Sequence, residues 1–169
     1  ISGGTNVFLN HCTVAENIAY FFQTSGFTTE ELSSQAFDGW EKSPGHRKNM
    51  LRPHVLETGV AVAQSESTGV FYAVQLFGRP RSASLKFEVI NRTELELAYQ
   101  VADREFELPP RTRRKHEICV PSKISFLQGQ DSVAEYEVTT QMRYLISSSE
   151  GELEVSRKAT SVENEPPLL

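Results

Sequence analysis

No apolar run in this chain approaches the roughly 20 residues that a helix needs to cross a bilayer, so no transmembrane segment is read from it. Basic charge is also in short supply. Lys and Arg number 17 against 22 Asp and Glu, a formal net charge of −5. That balance gives no support to general nucleic-acid binding, which favours a basic face. No P-loop, dinucleotide fingerprint, GxSxG elbow or HExxH zinc helix is present, so the commonest nucleotide, serine-hydrolase and zinc-protease signatures drop out. Cysteine is scarce too. Cys12 and Cys119 allow one internal disulfide, and a bridge needs Cα atoms within about 7 Å. Neither falls in a CxxC or metal-type spacing. The expectation is that one or both are free or paired with another fragment.

What is present describes a folded chain. Its 169 residues, 38% hydrophobic and 23% charged, hold one ordinary domain or two small ones. Along residues 14–22, Val14, Ile18 and Phe21 or Phe22 fall at helical spacing, with Thr13 as cap. Gly26 ends that element. Thr29 then caps a second helix, acidic in its first turn, with Leu32, Ala36, Phe37 and Trp40 as its apolar stripe. Pro44 and Gly45 stop it and open a short helix bearing His46. Two strands, about 58–64 and 70–77, flank the polar turn Glu66-Ser67-Thr68-Gly69.

Residues 79–84 read as a linker, and beyond them the pattern turns to strands. Leu85, Phe87 and Val89 alternate with polar residues, as do Leu95, Leu97, Tyr99 and Val101. Short strand candidates follow at 104–108, 113–119, 123–127, 133–138, 140–146 and 152–157. Strands parted by turn signals every ten residues or so suggest a small β-sandwich. The expected domains are therefore 1–80, 81–157 and a flexible tail at 158–169.

Four segments in order carry a resemblance. They are Ala15-Glu16-Asn17-Ile18-Ala19, the run from Trp40 through Ser43-Pro44-Gly45-His46-Arg47 to Leu51, Thr58-Gly59-Val60-Ala61-Val62-Ala63, and Tyr72 to Gly78. Together they resemble the CAP superfamily, in the style of the bacterial SCP-like extracellular proteins, over about residues 11–78. The second half resembles no family. The resemblance implies a partial CAP α-β-α sandwich, and with the small all-β sandwich-like domain read from the strand pattern the expected fold class is α+β. The resemblance also implies periplasmic or extracellular residence. A complete CAP domain places more structure ahead of the glutamate motif, so the chain reads either as the product of a cleavage with a companion fragment still bound or, equally, as a truncated piece of a longer chain.

The family's cleft is lined by paired histidines and glutamates, and some members hold a divalent metal there. By motif position Glu16 matches a cleft glutamate and His46 a cleft histidine, with His11 as a third, poorly matched candidate. The position of the other glutamate is Ser43, which leaves the set incomplete. No cofactor is therefore expected, although imidazole and carboxylate would suit zinc. Plain structural roles stand beside each assignment: His46 pinning its helix, Glu16 buttressing backbone amides, Trp40 anchoring the core, Asn49 fixing the loop after its helix. In the second half Arg111, Arg113, Arg114, Lys115 and His116 form a basic knot. It reads as a contact patch for an acidic partner or lipid headgroups, or as a charged edge strand. Asn91-Arg92-Thr93 fits the glycosylation pattern.

Three functions remain: an extracytoplasmic binding module docked to a protein partner or companion fragment, a metal-assisted hydrolase using Glu16 and His46, or a structural subunit of a membrane-associated complex. Incomplete site chemistry favours binding over catalysis.

Overall fold

The computed structural model describes residues 10–129 and 131–160. The chain divides into two compact units, 1–83 and 84–169. In the first unit, β1 (His11–Phe21), α1 (Thr29–Lys42), α2 (Pro44–Met50), β2 (Glu57–Gln64) and β3 (Phe71–Pro80) follow in order. The strands form one antiparallel sheet with β3 in the centre, in the order β1-β3-β2.

The fold class expected from the sequence does not hold. Strand accounts for 54% of the described residues and helix for 16%, in three sheets with only two α-helices. The first error lies at residues 14–22, where a helix was expected and β1 is found. Val14, Ile18 and Phe21 satisfy a helical spacing, but the small residues between them report the true period. Ala15, Asn17 and Ala19 face one side, and Val14, Glu16, Ile18 and Tyr20 the other. Pairing to β3 from His11 to Phe21 then overrides the local pattern.

Both helices lie on the small-residue face. Ala36 and Trp40 of α1 pack with Ala73, against Ala19, Phe21 and Met50. The cap of α1 is Thr28 rather than Thr29. Its hydroxyl accepts from Glu31 N at 3.2 Å while the Glu31 carboxylate accepts from Thr28 N at 2.8 Å, a reciprocal capping box. Ser43 is extended, as a residue before proline must be, and so ends α1 and starts α2 together. With helices on one face alone, no α-β-α sandwich forms among the described residues.

The second unit contains β4 (Leu85–Asn91), β5 (Leu97–Val101), β6 (Arg104–Leu108), β7 (Arg113–Ile118), β8 (Lys123–Gln128), β9 (Asp131–Glu137), β10 (Met142–Ser149) and β11 (Glu152–Ala159). They form two four-stranded sheets, β11-β10-β4-β7 and β6-β5-β8-β9. One core joins them, with Val89, Tyr99, Ile124, Phe126, Tyr144 and Ile146 fully buried. Burial of each such side chain contributes about 1.5–3 kcal/mol. The pair β4–β10 is parallel, the others antiparallel. Lys158 and Ala159, expected in a tail, pair with Arg143 and Met142 in β11. The rest of that tail, residues 161–169, lies outside the described residues, as do residues 1–9.

Two polar residues shape this core. Asn91 is 1% exposed. Its Nδ2 lies 2.7, 3.1 and 3.0 Å from the carbonyls of Leu95, Leu108 and Pro109, and its Oδ1 accepts from the amide and hydroxyl of Thr93. The glycosylation-type sequence is therefore a buried crosslink between loops, with its amide closed to modification in the folded chain. His116 lies within a cluster of rings. It stacks on Phe87 at 4.8 Å, meets Phe106 edge-on and shares a 2.7 Å hydrogen bond with the Tyr99 hydroxyl. Burial, then the charges of Arg114 and Arg104, lower its pKa from 6.5 to about 4. Burial likewise pushes Tyr99 up to about 12.

A histidine held neutral in the fold but free to protonate when unfolded ties stability to pH. Its contribution is whole above about pH 6.5 and declines as pH falls towards 4, because the unfolded chain then binds the extra proton. Thermal unfolding followed across that window should show a falling midpoint, and a His116→Phe variant should show a flatter profile. A midpoint independent of pH between 6.5 and 4 would contradict this role of His116.

Candidate functional site

The two most distinctive motifs meet through an asparagine. Asn17, in β1, is fully buried. Its Nδ2 donates to the His46 carbonyl in α2 at 3.1 Å and to Gln75 Oε1 in β3 at 3.3 Å. Asn49, one turn further along α2, donates to Asn17 Oδ1 at 3.0 Å and lies 3.1 Å from the Glu16 carbonyl. Arg52 adds a bond to the Val14 carbonyl. Small neighbours let α2 come this close, and the amide pair satisfies groups that burial would otherwise leave unpaired.

Alternation along β1 decides where Glu16 goes. Asn17 turns to the helices, so Glu16 turns to the other face, where it is exposed. His46 occupies the first turn of α2, on the helix side of the sheet. Among the described residues no hydrogen bond or ion pair joins Glu16 to His46. The structure brings their backbones together through Asn17 and Asn49, and it leaves the carboxylate on the opposite face of β1 from Asn17.

His11 has a partner that the motifs do not contain. Its Nε2 is 2.6 Å from Glu57 Oε2 at the start of β2. The ring lies over Gly78, where an added Cβ would come within 2.5 Å of it, so only glycine leaves room for this packing. A hollow of about 220 Å³ opens beside the pair, bordered by Val14, Gly59, Leu76 and Gly78. A carboxylate can orient an imidazole in this way, and the remaining lining is largely apolar. Neither Glu16 nor His46 lines the hollow. Glu57 was missed because only the sheet register, which sets it opposite Gly78, brings it to His11.

Among the described residues, no group of three or more His, Cys, Asp or Glu side chains converges as metal ligands. Neither cysteine is a free thiol, which removes the first branch of the expectation that one or both are free or paired with another fragment. Trp40 is buried in the core of the first unit. The basic knot resolves residue by residue. Arg111 pairs with Glu94 and Lys115 with Glu88, while Arg114 turns inward over Phe106.

Residues 10–77 match the family model of the cysteine-rich secretory protein family, CAP. The match is to part of a CAP domain and covers less than half of the chain. The match agrees with the motifs read from the sequence and ends before the second unit, which no family model matches. No curated protein and no solved structure matches the chain. Within the matched segment, the Glu-Asn motif and the Ser-Pro-Gly-His motif are thus joined by the Asn17 network. Replacing Asn17 by alanine should cost about 1–3 kcal/mol, because buried groups lose partners. Glu16→Ala should stay within about 0.5 kcal/mol, as an exposed side chain does. Denaturant unfolding of both variants checks the contrast, and equal losses would refute it.

Proposed function

We propose that this chain is an extracytoplasmic protein, periplasmic or extracellular, whose CAP segment binds a protein partner through the helix-free face of its sheet. One observation carries the reading. Val14, Ile18 and Tyr20 of β1 and Tyr72 of β3 stand on that face and are exposed, Ile18 by 49% and Tyr20 by 74%. The sheet register sets Ile18 opposite Val74 and Tyr20 opposite Tyr72, so the apolar side chains adjoin rather than scatter. Contiguous apolar surface of this kind marks interaction sites, whereas isolated exposed residues do not. Aromatic anchors among smaller residues also suit the centre of a protein interface. A partner within a membrane-associated complex is compatible with the same face, and no helix of the described residues is long and apolar enough to cross a membrane.

The hydrolytic alternative draws on the His11–Glu57 pair beside its hollow, with Glu16 and His46 as further candidates. It needs a base and an acid within reach of one substrate. The exposed Glu16 carboxylate and the helix-side His46 give less support to that arrangement than the apolar face gives to docking.

The test is site-specific photo-crosslinking in the native source. A crosslinker in place of Ile18 or Tyr20 should give one discrete adduct, and the same group at Glu31 on α1 none. Ile18→Lys should abolish the adduct at Tyr20 and leave unfolding within about 0.5 kcal/mol of the parent, since Ile18 is already half exposed. Equal labelling from both faces, or none, would count against docking. Loss of a measured esterase or peptidase activity in Glu16→Ala or His46→Ala, with assembly intact, would decide for the enzyme.

A further inference from the structure

The second unit carries an edge of unusual charge. β7 is the last strand of its sheet and pairs with β4 alone among the described residues. It begins Arg113-Arg114-Lys115. Of the cations near this edge, Lys115 is matched by Glu88 and Arg111 by Glu94. Arg114 and Arg104 are matched by no carboxylate at ion-pair distance among the described residues. Instead both guanidinium groups stand 5.4 Å from the centre of the Phe106 ring, where the edges β6 and β7 approach each other. Glu105 and Glu107 border the same shallow hollow as Arg114 and Phe106, yet neither closes an ion pair with Arg114. Two guanidinium groups thus share one aromatic ring at an open strand edge, with Glu105 and Glu107 at its rim and no carboxylate at ion-pair distance among the described residues.

We propose that β7 is a docking edge for an acidic, extended segment of a partner protein, which adds as a further strand to the four-stranded sheet. Neighbouring strands lie about 4.8 Å apart. An inward-facing Asp or Glu on the added strand would therefore fall beside Arg114, within reach of a charge-assisted hydrogen bond. Side chains alternate between faces, so the segment should carry acid at every second position, with its outward residues near Arg113 and Lys115. A second copy of this chain added in parallel register is disfavoured, because it would set Arg113, Arg114 and Lys115 each against its own copy. The charges that guard the edge against self-pairing also select for an acidic strand.

Fluorescence anisotropy on the whole chain tests this with a labelled peptide of about eight residues alternating Glu and Val. Binding should weaken as salt rises from about 0.05 to about 0.3 M. It should fall at least about tenfold in Arg104→Glu/Arg114→Glu, and in the milder Arg104→Gln/Arg114→Gln pair should the charge reversals fail to fold. A peptide N-methylated at alternate residues should not bind, since strand addition needs its amide hydrogens. The proposal is overturned by any of three results: no binding of the acidic peptide, equal binding of the N-methylated or the Lys-Val peptide, or capture by anionic phosphatidylserine vesicles without capture of the peptide.

Discussion

The first unit depends on one buried amide. Asn17 reaches from β1 to the backbone of α2, to a side chain of β3 and to Asn49, and each contact replaces water that a buried amide cannot otherwise find. Such a group must be fully satisfied or it destabilises the fold. This requirement dictates much around it. The residues beside Asn17 on its face must be small, α2 must start where Ser43 and Pro44 place it, and Asn49 must follow His46 by nearly one turn. The spacing of the CAP motifs is thus the spacing of a hydrogen-bond network.

The same network divides the unit into two unlike faces. Helices, Trp40 and the amide pair take one side of β1 and β3. Val14, Glu16, Ile18 and Tyr20 are left on the other. Glu16 is the residue a catalytic reading would emphasise, yet its place on the open face follows from that of Asn17, its neighbour in a strand. In the second unit the division is different. Its two sheets bury one aromatic core, and the docking edge proposed there is β7.

Much of the strand pattern was legible. The strands expected at 104–108, 113–119, 123–127 and 152–157 lie within two residues of those observed, because alternation and turn residues are local signals. The hairpin of β2 and β3 was legible for the same reason: Gly69 supplies the positive φ that its turn needs. β1 was not, since three large apolar residues fit a helix and only pairing with β3 makes them a strand. The parallel contact of β4 with β10, the union of His11 with Glu57 and the burial of Asn91 all join distant residues. No window of neighbouring sequence contains such information. Motif positions named Glu16 and His46, but the face on which a side chain emerges depends on the secondary structure, and that was misread at β1.

The most direct measurement is a double-mutant cycle on Asn17 and Asn49. Asn17→Ala, Asn49→Ala and the double variant would be unfolded by denaturant beside the parent. A shared network predicts strong coupling: the double variant should lose at least about 1 kcal/mol less than the sum of the single losses. Additive losses would mean that the two amides act separately. The motifs would then not be joined by the interaction on which this account of the fold and its open face rests.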